Sequence, residues 1–237
     1  MKNLSNFFRH NFAVRQQELS GLLSLVAPCL LAGNPLAADD LLDEEDSIGV
    51  QLVSPTRAGT WEAGDPDAPD DCVAVVSLSG FLYAGTTDRL MGALGALEAA
   101  PNVLGVVLAI DGPGGHATRV EIAAERIRNY SKPVATLVMG MMCSAHFWIG
   151  TAAEHVFTAS DLCQIGSVGV LTQYMGMGEY LRKIGMDFRE IYPDSSDLKN
   201  YESRAIADRN DEEPMKETLG RLHDEFPRAV ALQLGID

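Results

Sequence analysis

The chain has 237 residues, of which 46% are hydrophobic and 22% charged, and this length is sufficient for one sizeable α/β domain with a buried core. Its formal net charge of -15 argues against nucleic-acid binding through phosphate contacts, which require clustered lysine and arginine. The spacing of the four cysteines matches neither a metal site nor the dense disulfide framework of small secreted domains. The composition therefore indicates a reducing compartment.

The N-terminal part contains an apolar run over residues 22–33, "LLSLVAPCLLAG". This run is similar to the core of a signal peptide, but a long preceding region that contains Glu18 favours a short amphipathic segment that docks on a partner or on the main domain. The run is shorter than the about 20 residues that span a bilayer, and Pro28 disfavours an uninterrupted helix. We therefore expect an N-terminal amphipathic segment over residues 1–37, without a stable membrane span.

The next part of the chain, residues 38–71, is acidic and rich in proline, glycine and aspartate, as in "ADDLLDEEDS" and "EAGDPDAPDD". This composition is typical of a solvated linker, in which "GVQLV" predicts one short strand. The remaining residues, 72–237, form the predicted main domain.

The main domain alternates between predicted strands and predicted helices. The strands are "CVAVVSLSG", "VLGVVLAI", "KPVATLVMG", "HVFTA", "IGSVGVL" and "DFREIYP". The helices are "TTDRLMGALGALEAA", "ATRVEIAAERIRNY", a segment that begins near Ser144, "MGEYLRKIG" and "EEPMKETLGRLHDEFPRAVALQLG", the last interrupted near Pro227. Continuous apolar strands are typical of strands buried on both faces. The alternation predicts βαβ units and an α/β fold with a mainly parallel sheet.

Two predicted strand-to-helix turns are candidate functional elements. In "AIDGPGGHA", three glycines leave backbone N–H groups uncovered, and such groups can bind an anion or a developing oxyanion. The alternative is a tight turn in which glycine only supplies positive φ. In "LVMGMMCSAHFWIG", Ser144 follows a Gly–Met–Met–Cys turn and is either a helix N-cap or a nucleophile. Because ligands bind at the carboxyl ends of parallel strands, we expect the two turns to face one cleft, with Cys143 as the alternative nucleophile.

A serine nucleophile needs a base, because its hydroxyl is a weak nucleophile. None of the five histidines has an evident aspartate partner in a triad arrangement. A lysine can serve instead when burial lowers its pKa enough to leave the amine neutral. The candidate is Lys199 in the polar loop "YPDSSDLKNYES", where a solvated side chain is the alternative, and Lys183 or His146 is the next candidate.

Residues 73–234 resemble the signal peptide peptidase A family of serine peptidases, whose phage members are capsid-assembly or prohead proteases. Five motifs occur in the order typical of that family: "DGPGG", "KPV", a Met–Gly turn, "CSAHFW" and "GSVGV". A lysine in a polar loop after the next strand completes the pattern. The sequence departs from this pattern at several positions: Gly112 replaces the usual serine of the glycine motif, and His146 occupies a position where small residues are common. The histidine would narrow the cleft, and the loop around Lys199 lacks the expected glycine and following proline.

The resemblance implies a fold like that of Clp protease and crotonase, and a Ser–Lys dyad that needs no metal or organic cofactor. By motif position, Ser144 is the nucleophile and Lys199 the general base. Ser167 would orient the lysine, and the backbone N–H groups of Gly114 and Ala145 would form the oxyanion hole.

These features predict a serine endopeptidase, specifically a phage-type capsid maturation protease that cleaves scaffold or capsid proteins. We expect a homo-oligomer, located in the bacterial host cytoplasm or the phage prohead. Three alternatives remain open from the sequence. They are a membrane-associated peptidase that degrades signal peptides, a catalytically silent assembly scaffold of the same fold, and a crotonase-like enzyme acting on acyl thioesters.

Overall fold

The computed structural model describes residues 12–14, 48–174, 176, 178–186 and 189–236. Within these residues, eight strands form one sheet. The strands are β1 (Phe12–Val14), β2 (Ile48–Val53), β3 (Thr60–Trp61), β4 (Cys72–Leu82), β5 (Val103–His116), β6 (Val134–Cys143), β7 (His155–Thr158) and β8 (Gln164–Gly166). The α-helices are α1 (Thr86–Ala99), α2 (Val120–Arg128), α3 (Ala145–Gly150), α4 (Gly178–Lys183), α5 (Tyr201–Arg209) and α6 (Glu213–Leu234).

The sheet has the strand order β3-β2-β4-β5-β6-β7, with β1 paired to β5 and β8 paired to β6. Strands β4 to β8 pair in parallel, whereas β1, β2 and β3 pair antiparallel with their neighbours. Helices α1, α2 and α3 connect the successive parallel strands, as βαβ units require. The predicted α/β fold with a mainly parallel sheet is therefore confirmed.

The core lies between one face of the central strands and the connecting helices. Alternate residues of β4 are buried because successive strand side chains point to opposite faces of the sheet. Helix α1 contributes leucines at a helical spacing to the same core. The buried residues of these two elements include Ala74, Val76, Leu78, Leu90, Leu94 and Leu97. This packing fixes the carboxyl ends of β5 and β6, where both candidate turns lie.

The strands β5 and β6 continue into the segments that the sequence predicts as turns. Strand β5 continues through the glycines to His116, and β6 continues to Cys143. The glycines stay in the sheet because β4 approaches their backbone closely: a Cβ on Gly115 would lie 2.1 Å from the Leu82 carbonyl oxygen. The predictions of a tight glycine turn and of a Gly–Met–Met–Cys turn are thus wrong, although Gly114 and Gly115 do have positive φ, as the sequence suggested.

The C-terminal third differs most from prediction. Residues 189–193 of the predicted strand "DFREIYP" are not in a strand, and the predicted strand "IGSVGVL" is reduced to β8, which ends at Gly166. Helix α5 was not predicted, because its sequence is polar and its only buried residue in the structure is Ala205. Helix α6 continues through Pro227, which the sequence places at an interruption. Buried side chains of Phe226 and Val230 on either side of the proline hold the helix against the domain.

The acidic linker and the N-terminal segment are described only in part. Strand β2 pairs with β4 along its whole length, so residues 48–53 belong to the sheet and not to a solvated linker. The apolar run over residues 22–33 lies outside the described residues. In the part of the chain that the structure describes, no helix is long and apolar enough to cross a membrane.

The contact between α6 and α3 yields a stability prediction. The rings of Phe226 and Trp148 stack with centroids 4.9 Å apart, and Phe226 is fully buried. Replacing Phe226 with alanine should lower the free energy of unfolding by about 3–5 kcal/mol, because a buried aromatic side chain leaves a cavity. Urea unfolding measures this change, and Leu232→Ala on the same helix is the control, since Leu232 is 66% exposed. A loss below about 1 kcal/mol for Phe226→Ala would contradict the observed docking of α6.

Candidate active site

Ser144 occupies a strained position between β6 and α3. Its backbone has φ 54 and ψ -120, a combination that non-glycine residues rarely adopt. Two backbone hydrogen bonds hold it there: the Ser144 N–H donates to the Gly166 carbonyl oxygen at 2.7 Å, and the Trp148 N–H donates to the Ser144 carbonyl oxygen at 3.0 Å. Backbone strain of this kind is concentrated at functional sites, where the surrounding structure enforces it.

The Ser144 hydroxyl does not act as a helix cap. No side-chain hydrogen bond caps α3, although Ser144 is at the N-cap position. The residue is 1% exposed, and its Oγ has no hydrogen-bond partner among the described residues. A buried hydroxyl without a partner costs about 1–3 kcal/mol, so the position is not explained by stability. The arrangement fits a nucleophile held ready for a substrate.

The glycine segment, defined here as residues 111–115, faces the turn that carries Ser144. Strand β5 pairs with β6 as far as Gly112 and Met142, where the pairing of these two strands ends. Beyond that point a hydrogen bond joins β5 to α3, since the Gly114 N–H donates to His146 Nδ1 at 3.0 Å. The glycine segment and the start of α3 are therefore in direct contact.

His146 has an unusual environment for a histidine. Its side chain is completely buried, and this burial lowers the pKa of the imidazole to about 3. The ring is therefore neutral, and because Nδ1 accepts a hydrogen bond, the proton resides on Nε2. Neither nitrogen can then take a proton from Ser144 while the Gly114 contact persists. This geometry argues against His146 as the alternative base.

The Gly114 N–H, a predicted oxyanion donor, is already engaged by this imidazole. An oxyanion would have to share the N–H with His146 Nδ1 or displace the ring. Ala145, the other predicted donor, is fully buried at the first position of α3, directly after Ser144.

Ser167 lies next to the junction of β6 and α3 that carries Ser144, which we call the nucleophile turn. Strand β8 pairs Gly166 with Cys143, and the Gly166 carbonyl accepts the Ser144 N–H, so the following residue is close to Ser144 in space. Ser167 has φ 56 and is exposed. The structure thus brings together Ser144, Ala145, Gly114 and Ser167.

Lys199 is not joined to this group. Its side chain is exposed in the loop before α5, where its backbone N–H donates to the Ser196 carbonyl at 3.0 Å. No hydrogen bond links Lys199 to Ser144 or Ser167 among the bonds between described residues. Lys183, an alternative base, is also exposed, near the end of α4. A single chain therefore does not provide the burial that a lysine base needs.

Two features of the site were missed by sequence reasoning. Asp111 accepts a hydrogen bond from the Met141 N–H at 2.9 Å and so ties the ends of β5 and β6 together. An aspartate directly before the glycines was a usable signal for this role. In addition, β1 pairs antiparallel with the glycine segment, with Ala13 opposite Gly115 and Val14 opposite Gly114. Nothing in the sequence of residues 12–14 predicted that pairing.

Comparison with known sequences connects both halves of the main domain to peptidases. Residues 126–236 match the sequence model of Peptidase family S49, and residues 73–163 match that of Clp protease. The chain is 27% identical over 124 residues to Protease 4 of Haemophilus influenzae, covering 48% of this chain and 20% of that protein. It is 27% identical over 206 residues to the Head-tail preconnector protein GP5 of Enterobacteria phage P21, covering 84% of this chain and 40% of that protein.

Among solved structures, a membrane protease from Pyrococcus horikoshii specific for a stomatin homolog is 21% identical, with a TM-score of 0.32. That match covers 35% of this chain and 42% of the archaeal chain. The sequence matches confirm the predicted resemblance to the peptidase family and the predicted Clp-type fold. The chain spans less than half the length of the two curated relatives.

Proposed function

Because residues 126–236 match Peptidase family S49, we propose that the chain is a serine endopeptidase with Ser144 as its nucleophile. The observation that carries the proposal is the Ser144 hydroxyl, which is buried, strained and without a partner among the described residues, opposite the glycine segment. Such a position costs stability and is useful only if the hydroxyl reacts.

The proposed reaction proceeds through an acyl-enzyme. The Lys199 amine takes the proton from Ser144 Oγ as that oxygen attacks the scissile carbonyl carbon, and it then gives the proton to the leaving amine. The oxyanion accepts hydrogen bonds from the N–H groups of Ala145 and Gly114, the latter shared with His146. Water, deprotonated by Lys199, next attacks the acyl carbon, and Ser144 Oγ regains its proton. Ser167 orients the lysine.

The edge of β5 supports a peptide as the substrate. Strand β1 already pairs there with the glycine segment as an extended antiparallel chain. A substrate chain that took the place of β1 would gain backbone hydrogen bonds with little dependence on its sequence, as in other cases of strand addition. This position would also bring its peptide bonds close to the nucleophile turn.

The substrate class that we propose is phage scaffold or capsid protein, with maturation of a prohead as the setting. The support is the match to the phage P21 preconnector protein, which extends over 84% of this chain. We also propose a homo-oligomer, because the segment from β7 to the Lys199 loop exposes large apolar side chains. They include Phe157, Leu162, Ile165, Ile191 and Leu198. A second copy that covers this segment would remove these side chains from water.

A serine-directed fluorophosphonate probe tests the proposed function. We expect stoichiometric labelling at Ser144, identified by peptide mapping, because an activated serine attacks the phosphorus centre as it attacks a carbonyl. Heat-denatured protein is the control and should not react, and Ser167→Ala should still be labelled at Ser144. A chain that stays unlabelled at every oligomer concentration would instead be a silent scaffold or a crotonase-like acyl-thioester enzyme.

A further inference from the structure

Two departures from the family pattern meet in the structure. A Cβ atom on Gly112 would lie 2.3 Å from His146 Cε1 and 2.7 Å from Nε2, and 2.5 Å from the Gly80 carbonyl oxygen. The imidazole therefore occupies space that a serine at position 112 would need. Glycine at position 112 therefore leaves room for both the His146 imidazole and the Gly80 carbonyl oxygen.

The same imidazole is a direct connection between the nucleophile turn and the glycine segment. His146 is two residues after Ser144, in the first turn of α3, and Nδ1 accepts the Gly114 N–H at 3.0 Å. A ring from α3, on the opposite side of the site, therefore holds the Gly114 N–H.

We infer that His146 is a positioning residue that fixes the glycine segment relative to Ser144, by accepting the Gly114 N–H. The inference rests on the proposed function, because it assigns the contact a role in peptide hydrolysis. The imidazole takes no proton from the substrate or from Ser144. The imidazole instead fixes the distance between the two oxyanion donors, the N–H of Gly114 in β5 and the N–H of Ala145 in α3.

Burial supports this role. A protonated imidazole would present an N–H at Nδ1 to the Gly114 N–H, and the contact would be lost. Because desolvation lowers the pKa of His146 to about 3, the ring remains a neutral acceptor at neutral and mildly acidic pH. The opposite role, a ring that blocks the oxyanion hole by occupying its donor, predicts faster hydrolysis when the acceptor is removed.

Matched substitutions separate these roles in the full chain. His146→Asn keeps an acceptor near the position of Nδ1, whereas His146→Leu keeps bulk without an acceptor. We expect His146→Leu to lower kcat by about 10²-fold with KM nearly unchanged, as misplacement of a catalytic group by about 1 Å does. His146→Asn should retain kcat within about 3-fold. A peptide aldehyde inhibitor forms a tetrahedral adduct with the serine, and the affinity for this inhibitor should fall only in the Leu variant. His146→Met, which is unbranched and adaptable, replaces the Leu variant if that variant does not fold.

Amide hydrogen exchange gives a readout other than activity. The Gly114 amide should be protected in the wild type and in His146→Asn, and lose protection in His146→Leu, while β4 remains protected in all three. Unchanged Gly114 protection in His146→Leu, equal kcat in the Asn and Leu variants, or faster hydrolysis by the Leu variant would overturn the inference alone. A wild-type protein with a protected Gly114 amide that neither cleaves peptides nor reacts with a fluorophosphonate would overturn the proposed function, and the inference with it.

Discussion

Replacing Ser144 with alanine is expected to abolish peptide hydrolysis and to increase the free energy of unfolding by about 1 kcal/mol. Activity should fall by at least about 10³-fold, because the acyl-enzyme cannot form without the hydroxyl. Stability should rise because the hydroxyl is buried without a partner among the described residues, and its removal relieves the cost of that desolvation. The backbone strain at φ 54 is unchanged, since serine and alanine both carry a Cβ.

Hydrolysis of an unfolded protein substrate and urea unfolding measure the two effects in parallel. Cys143→Ala is the matched control, because Cys143 is the adjacent buried residue and the alternative nucleophile. It should retain activity, and thiol alkylation of the wild type should leave hydrolysis largely unchanged. Activity above about a tenth of wild type in Ser144→Ala would exclude Ser144 as the nucleophile. A variant that lost activity and stability together would instead suggest a structural role for the hydroxyl.

The sequence predicted the location of Ser144 between a strand and a helix because the signals around it are local. An apolar strand, a small polar residue and a helix occur in succession, and their physical meaning does not depend on distant parts of the chain. The core strands and helix α1 were predicted for the same reason. The extension of β5 through the glycines was not, because it depends on the close approach of β4 at Leu82, which no local pattern encodes.

The contact between Gly112 and His146 shows a second limit of sequence reasoning. Each residue was recognised as a departure from the family pattern, yet they are 34 positions apart in the sequence and their complementarity appears only in the folded chain. Helix α5 was missed because its sequence is polar, and Ala205 is its only buried residue. Lys199 is exposed in the single chain, and no hydrogen bond between the described residues joins it to Ser144.

Replacing Lys199 with arginine is expected to reduce hydrolysis by at least about 10²-fold, although the positive charge is kept. A general base must be able to lose its proton, and arginine stays protonated in proteins. Lys183→Arg is the matched control, because Lys183 is also exposed and should tolerate the change. Normal hydrolysis by Lys199→Arg would place the base elsewhere, and loss of activity in Lys183→Arg alone would favour Lys183.

The proposed burial of Lys199 by a second copy of the chain gives the strongest test of its role as the base. A lysine in water has a pKa of about 10.4, and a base role requires a neutral amine, which burial favours. Lys199 is exposed in the single chain, and Leu198 beside it is 75% exposed, so a covering surface would bury both. We therefore expect activity per chain to rise with pH through the alkaline range and to vanish as the protein is diluted to monomers, as followed by sedimentation. Leu198→Asp should produce the same loss by weakening the association, while a fully active monomer would show that Lys199 acts without a covering surface or is not the base.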